Sequence, residues 1–334
     1  MKAIAVFRPR RVCHERVELP PLEDGQVLVR VKACAICGSD LRYYREGHRP
    51  EGSFGHEFTG TIEDVCGESG GLKLGDTVAT GLAGSCGGCR PCLLGHPNFC
   101  EFAQSTYFPG GLAERCIVSN CGEAQTLVKL PTSLPLRRAT LHEPVSCALR
   151  IARRAEVRHG DRVAIIGLGT MGLLSALVLK HLTGEVELVG FDHRKERRGI
   201  AERCGLGVGE TDEAGEFDVV IDATGDAAAF SGSLELARLG GTVVLAGVPE
   251  GTIPLSPLPI FRKELDVRGA KGPFPYLTKE GRSEALEVLG VESIPWDLLI
   301  RSFPFGQAEA AFQAVDTGAA VKAVLVMDDG QNTA

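Results

Sequence analysis

Two textures of hydrophobic spacing divide the 334-residue chain. Up to about residue 145, short alternating apolar segments such as VLVRVKA (27–33) and FTGTIEDV (58–65) are broken by Gly, Pro and Asp. That is the pattern of half-buried strands in a compact all-β unit. From Arg162 the rhythm changes to RVAII, a glycine turn, the helical run MGLLSALVLKHL, a second strand VELVGF and another helical run RKERRGIAERCG. DVVIDATG (218–225), the helix-like AAAFSGSLELARLG, GTVVLAGV (241–248) and LDVRGA (265–270) continue the alternation. Strands alternating with helices predict a parallel sheet with crossover connections, so the fold class is α/β. After about residue 297 the spacing reverts to short β-like segments ending in VKAVLVM (321–327), followed by a polar tail, DDGQNTA. Beyond the β-α alternation there is no internal repeat.

The length suits about two domains, at roughly 100 to 200 residues each. With 44% hydrophobic residues, 24% charged residues and a formal net charge of -7, the composition is that of a globular protein and not of a nucleic-acid binder, and no basic tract alters this. The opening MKAIAVFRPRRV reads as a strand without a signal-peptide core, and no run of about 18 apolar residues appears, so the expectation is a cytoplasmic protein with no membrane span. The 12 cysteines are unevenly placed, four of them crowding between Cys86 and Cys100. Clustering of this kind points to metal binding before disulfides.

Gly167, Leu168, Gly169, Thr170, Met171 and Gly172 form G-L-G-T-M-G directly after the strand RVAII and directly before a helical run. In this context the first glycine permits the tight turn, the second lets a pyrophosphate approach the backbone, and the third lets helix and strand pack closely. The helix N-terminus offers N–H groups to the anion. Asp192, ending the next strand, is placed to accept hydrogen bonds from ribose hydroxyls, and Arg197 in the following helical run is read with it as cofactor-binding. A carboxylate there repels a 2′-phosphate and favours NAD over NADP, while His193, Arg194 and Lys195 offer opposing positive charge or merely a solvated basic turn. A methyltransferase-type nucleotide site is the other use of a glycine-rich turn.

Cys86, Cys89, Cys92 and Cys100 read C-x2-C-x2-C-x7-C. Four thiolates so spaced close a tetrahedron around zinc and leave no open position, which defines a structural site. Reduced metal-free thiols and an iron-sulfur cluster are the alternatives. His96, between the third and fourth cysteines, is read as a surface residue. A second set contains Cys37 in CAICGSD and His56 with Glu57 in FGHEFTG. Thiolate, imidazole and carboxylate are the ligand types of catalytic zinc, whose incomplete protein shell leaves a position for water or substrate. Cys34 mimics a C-x-x-C redox pair with Cys37 but is read as packing, and Cys13, Cys66, Cys116, Cys121, Cys147 and Cys204 show no ligand spacing.

Cys37-Gly38-Ser39-Asp40, Gly55-His56-Glu57, the Gly75-Asp76-Thr77-Val78 turn, the cysteine lobe, His142-Glu143-Pro144 and the glycine turn follow one another along almost the whole chain. In these motifs the sequence resembles the zinc-containing medium-chain dehydrogenase/reductase family, and within it the sorbitol, threonine and glucose dehydrogenase-like branches. The resemblance implies a GroES-like catalytic domain over residues 1–148, completed by 297–334, and a Rossmann dinucleotide-binding domain over 149–296. It implies two zinc ions per chain, with Cys37 and His56 on the catalytic one, Glu57 as a direct or intermittent ligand, and Glu143 as fourth ligand or holder of the zinc-bound water. It further implies that Asp40 orients His56, that Ser39 begins a proton relay, and that the protein is a homodimer or homotetramer. Many relatives carry a histidine three residues after that serine; here the position is Arg42, which does not release its proton, leaving Tyr43, His48 or water as substitutes.

The function expected is oxidation of a secondary hydroxyl of a sugar alcohol, cyclitol or aminocyclitol to a ketone, with hydride transfer to NAD. A threonine-type or simple secondary alcohol dehydrogenase is the alternative within the family. A zinc-free quinone-reductase-like enzyme lacks the ligand sets seen here. A nonenzymatic zinc-binding interaction module would explain Cys86 to Cys100 but not the glycine turn, Asp192 or the Cys37, His56 and Glu57 set. Tyr107 and Phe108 are read as either pocket walls or core aromatics.

Overall fold

The computed structural model describes residues 1–48, 54–80, 85–101, 107–119, 126–209, 215–249, 251–252, 254–272 and 279–327. The chain divides into two compact units, one of Met1–Glu143, Tyr276–Val291 and Leu299–Ala334, the other of Pro144–Pro275 and Glu292–Leu298. The sequence pattern sets the division after residue 148; in the structure it falls just inside the start of the helix His142–Ala155, and Tyr276–Val291 belongs to the first unit. No helix among the described residues is long and apolar enough to cross a membrane.

The first unit begins with the antiparallel pair β1 (Lys2–Arg8) and β2 (Arg11–Arg16). It continues with β3 (Gln26–Ala35), β4 (Glu57–Cys66), β5 (Thr77–Thr80), β6 (Tyr107–Phe108), β7 (Arg115–Val118) and β8 (Leu127–Lys129). Strand β3 organises the sheet, pairing antiparallel with both β4 and β7. Its alternation turns Val27, Val29 and Val31 into the core at 0–1% exposure, as the period-2 pattern requires.

In the second unit, β9 (Arg162–Ile166), β10 (Glu187–Phe191), β11 (Gly207–Val208), β12 (Phe217–Asp222), β13 (Ala237–Leu245) and β14 (Asp266–Gly269) form one sheet. The order is β11-β10-β9-β12-β13-β14, and every pairing is parallel. Numbered within the unit this is 3-2-1-4-5-6, the doubly wound order of a dinucleotide-binding sheet. One boundary differs from expectation: the helix Ala227–Leu236 stops before ARLG, which begins β13. The backbone turns extended at Ala237 (φ -65, ψ 137), which pairs with Phe217 of β12, while Arg238 binds Asp218 at 2.6 Å.

The chain then returns to the first unit through β15 (Ile300–Pro304) and β16 (Lys322–Val326), completing the path β15-β16-β3-β4-β5-β8. The sequence pattern predicts only short strands after residue 297, yet Ala308–Thr317 is a helix. Ala308, Ala311, Phe312, Ala314 and Val315 are its buried positions, largely at helical spacing, and Phe312 stacks between Tyr44 (5.1 Å) and Phe54 (5.8 Å). Arg11 and Arg45 tie down its polar face through Glu309 at 3.1 Å and Asp316 at 2.6 Å. Also in this unit, His142 has 0% exposure, and its Nε2 donates to the Arg282 carbonyl at 3.2 Å. Burial lowers its pKa to about 4.

Two outcomes follow from this packing. Phe312→Ala removes a fully buried ring and is expected to cost about 3–5 kcal/mol, read as a lower urea midpoint. For His142, the folded imidazole refuses a proton down to about 4, whereas the unfolded one takes it near 6.5. Stability is therefore complete above that upper value and is lost as pH falls towards the lower one, by about 3 kcal/mol in total. Urea midpoints of the wild type and of His142→Asn, measured from pH 7 to pH 4, are expected to converge as the acid-dependent part of the wild type disappears.

Candidate functional site

In the first unit the structure brings Cys37, His56 and Glu57 together, with one candidate ligand atom from each lying within 4.8 Å of the others. Cys37 is the N-cap of the helix Gly38–Glu46, and Asp40 closes a capping box by accepting the Cys37 N–H at 2.9 Å. The other Asp40 oxygen accepts the Gly55 N–H at 3.2 Å, so one carboxylate at 1% exposure fastens both ligand turns. Gly55 has φ +81, and a Cβ there would meet Leu112 at 2.6 Å, which is why glycine precedes His56. Thr80 completes the frame, donating to the His56 carbonyl at 2.6 Å and accepting the Phe58 N–H at 3.1 Å.

The electrostatics of this cluster are dominated by burial and by charges at close quarters. Burial alone would lower His56, but the Cys37 sulfur and the carboxylates of Asp40 and Glu143 raise it well above the usual imidazole value. Burial raises Asp40. Glu143, at 6% exposure, stands outside the 4.8 Å group, yet its charge acts on His56. The sequence reading missed one member, Lys322, whose Nζ donates to Glu57 Oε1 at 2.9 Å and Oε2 at 2.7 Å and to the Ile36 carbonyl at 3.2 Å. Its signal in the sequence was a single charge inside the apolar run VKAVLVM. Burial pulls the ammonium down, but Glu57, Cys37 and Glu143 together hold it above the usual lysine value. Thiol, imidazole and carboxylate donors, braced by a capping box and a buried lysine, suit a divalent cation with one position left open.

Ser39 and Arg42 are both exposed on the helix Gly38–Glu46, and Arg42 lies 5.8 Å from the Tyr43 ring. Tyr43 is half-buried, and His48, exposed, pairs with Glu46 at 3.3 Å. Tyr107 is a core residue at 3% exposure, edge-on to Phe58, while Phe108 is exposed. Cys34 and Cys116 are fully buried and Cys204 nearly so; Cys13 is exposed, Cys66 and Cys147 are intermediate, and Cys121 lies outside the described residues.

Cys86, Cys89, Cys92 and Cys100 likewise converge within 4.8 Å. The Cys89 and Cys92 sulfurs are 3.4 Å apart, and backbone N–H groups of Cys86 and Cys89 point at Cys100 and Cys86 Sγ, each at 3.3 Å. The Cys92 backbone lowers Cys89 to about 7, whereas burial and the neighbouring thiols push Cys92 up to about 12. Four thiols cannot all ionise so close together without a cation among them, which is the condition zinc satisfies. His96 is exposed and apart from the four donors.

In the second unit, Gly167 follows β9 at φ +87. A Cβ on Gly172 would sit 1.9 Å from the Gly167 carbonyl, so the helix Thr170–Thr183 can approach the turn only with glycine there. Gly169 caps that helix; Leu168, Thr170 and Met171 fill the remaining positions of the turn. Asp192 Oδ2 accepts the Leu168 N–H at 2.9 Å and lies 3.3 Å from Arg197, while Oδ1 accepts the Arg194 N–H at 2.8 Å. The carboxylate thus sets the shape of the turn, and the Arg197 guanidinium lies 3.6 Å from where a Gly169 side chain would begin. Cradle, helix N-terminus and carboxylate fit a dinucleotide.

Metal content gives a direct check. Cys100→Ser is expected to lower the zinc content by one ion per chain while leaving the Cys37 centre loaded, measured by atomic absorption after gel filtration.

Residues 23–132 match the domain described as “Alcohol dehydrogenase GroES-like domain”, and residues 167–280 match “Zinc-binding dehydrogenase”. The chain is 30% identical to “Probable D-xylulose reductase A” of Arthroderma otae, with 96% of each covered, and 30% identical to “Uncharacterized zinc-type alcohol dehydrogenase-like protein” of Haemophilus influenzae, with 88% of each covered. Among solved structures it resembles an alcohol dehydrogenase from Thermus sp. ATN1, with TM-score 0.82, 28% identity and coverage of 98% of this chain and 100% of that one. A short chain alcohol dehydrogenase from Escherichia coli, complexed with NADH, is similar at TM-score 0.82 and 26% identity, over 98% of this chain and 99% of that one. By both domain matches and the whole-length relatives, the chain belongs to the zinc-containing medium-chain dehydrogenase/reductase family, the zinc-type alcohol dehydrogenases.

Proposed function

We propose that the protein oxidises a secondary hydroxyl of a polyol, a sugar alcohol, cyclitol or aminocyclitol, to the ketone, with NAD as hydride acceptor and two zinc ions per chain. The observation that carries the reading is the buried Glu143 acting on His56 beside Cys37, since it supplies a carboxylate where a polyhydroxylated substrate needs an acceptor for a second hydroxyl. Kinship with a protein named for D-xylulose supports the same substrate class.

Zinc in such a site supplies a Lewis acid that makes a hydroxyl easier to deprotonate, and nicotinamide accepts the hydride. Cys37 and His56 hold the metal, and Asp40 fixes their approach through the Cys37 and Gly55 N–H groups. Ser39, exposed in the first turn of its helix, passes the substrate proton towards solvent; Arg42 beside it keeps its own proton and contributes charge alone. Gly167 to Gly172 and the N-terminus of the helix Thr170–Thr183 bind the pyrophosphate, and Asp192 and Arg197 bind the adenosine ribose. The Asp192 carboxylate supports NAD over NADP, although Arg197 dilutes its charge.

A panel of sugar alcohols, cyclitols, aminocyclitols, threonine and simple secondary alcohols, assayed with NAD and NADP at 340 nm, tests the proposal. Vicinal polyols with NAD are expected to exceed 2-propanol and threonine by at least about tenfold in kcat/KM, a difference worth about 1.4 kcal/mol. Higher kcat/KM on threonine or on simple alcohols would overturn the substrate class.

A further inference from the structure

The other charges of the helix Gly38–Glu46 are answered within the chain. Arg45 pairs with Asp316 at 2.6 Å, Glu46 meets His48 at 3.3 Å, and Asp40 accepts the Cys37 and Gly55 N–H groups. Arg42 is the exception. Glu46 stands four residues on, at the spacing where a helical ion pair forms, yet it turns to His48, and among the described residues Arg42 meets no carboxylate. Its one described contact is the Tyr43 ring, 5.8 Å from the guanidinium carbon, and an exposed contact of that kind leaves the N–H fork free to bind. In a chain with 43 Asp and Glu against 36 Lys and Arg, an unanswered guanidinium is not explained by a shortage of anions.

The place of Arg42 in the helix decides what that fork can reach. Cys37 is the N-cap, while Ser39 and Arg42 are three residues apart and therefore on one face, both of them exposed. Cα–Cβ bonds of a helix tilt towards its N-terminus, so the Arg42 side chain leaves the backbone in the direction of Ser39 and Cys37. Tyr43, on which the guanidinium lies, is in turn edge-on to Phe54 at 6.5 Å, two residues before His56. These contacts set the guanidinium at the rim of the Cys37, His56 and Glu57 cluster. The helical rise from Cys37 to Arg42 is about 7.5 Å, comparable to several carbons of an extended polyol. A guanidinium fork at that remove matches the paired oxygens of a carboxylate or phosphate and repels an ammonium.

We propose that Arg42 is a specificity-determining residue that binds an oxyanion at the far end of the substrate, so that the preferred substrates are polyols carrying a carboxylate or a phosphate ester remote from the hydroxyl that is oxidised. This rests on the reading of the protein as a polyol dehydrogenase with its chemistry at Cys37 and His56. Within that substrate class it places amino polyols at a disadvantage.

The test uses the full zinc-loaded chain with NAD and compares polyols of one carbon skeleton that differ at one end: ribitol, xylitol and sorbitol, the corresponding aldonates, and the terminal phosphate esters. In at least one skeleton an anionic member is expected to exceed the neutral polyol by about tenfold or more in kcat/KM, with the difference carried by KM. The advantage is expected to shrink as ionic strength rises, because the pair is exposed to solvent. Which anionic series gains distinguishes a carboxylate from a phosphate. Arg42→Gln is expected to lower the anionic-to-neutral ratio of kcat/KM by about tenfold, Arg42→Lys to keep part of it, and Arg42→Glu to invert it. A neutral polyol that equals or exceeds both of its anionic counterparts in every skeleton overturns the proposal, and so does a ratio that Arg42→Gln leaves unchanged. No turnover of any polyol, charged or neutral, would sink the underlying reading of the function instead.

Discussion

The Cys37, His56 and Glu57 cluster of the first unit depends on two buried side chains, one acidic and one basic, that grip the same pair of turns. Asp40 takes the N–H groups of Cys37 and Gly55, and Lys322 gives its own to Ile36 and Glu57. Lys322 and Glu57 form an ion pair at 3% and 2% exposure, and removing one partner of such a buried pair commonly costs about 3–5 kcal/mol. Their combined effect is to make the distance between residues 36–37 and 55–57 a property of the sheet, since β3, β4 and β16 supply the segments being joined. Glu57 opens β4, while Cys37 and His56 sit in the turns next to β3 and β4, which Asp40 fastens in place through the Cys37 and Gly55 N–H groups.

The two clusters of donor side chains illustrate different routes to the same kind of geometry. The cysteine lobe gathers its four sulfurs from within fifteen residues, and short turns with backbone N–H groups on sulfur are enough to aim them. The second centre draws on residues 37, 56 and 57, on 143 at the start of a helix, and on 322 from the far end of the chain. Only the first is a local object. The dinucleotide turn resembles the lobe in this respect, because Gly167 to Gly172 form a single strand-to-helix junction braced by one carboxylate from the next strand.

What could be read from sequence follows this division. The parallel sheet was legible because β9, β10, β12 and β13 carry apolar runs bounded by turn residues, and RVAII matches β9 residue for residue; the two-residue β11 carries no such run. Cysteine spacing and G-L-G-T-M-G were legible for the same local reason. The helix Ala308–Thr317 was missed although Ala308, Ala311, Phe312 and Val315 carry its period, because the flanking segments IRSFP and KAVLV are strongly β-like. The end of the helix at Leu236 was misplaced because ARLG has helical composition, and what draws it into β13 is pairing with β12 and the Arg238 to Asp218 contact. Lys322 escaped notice altogether: a lysine in an apolar strand has no meaning until its partner is known, and that partner is 265 residues away.

That separation has a consequence for how the protein is made. At about 5–20 residues per second, a ribosome needs roughly 13–53 s to travel from Glu57 to Lys322. Throughout that interval the nascent first domain has both ligand turns but lacks the strand and the countercharge that join them, so its early β-structure is an acceptor awaiting its last piece. The frame around Cys37, His56 and Glu57 is therefore finished only when the last strand is made, whereas the four sulfurs of the cysteine lobe are all in hand once Cys100 has emerged.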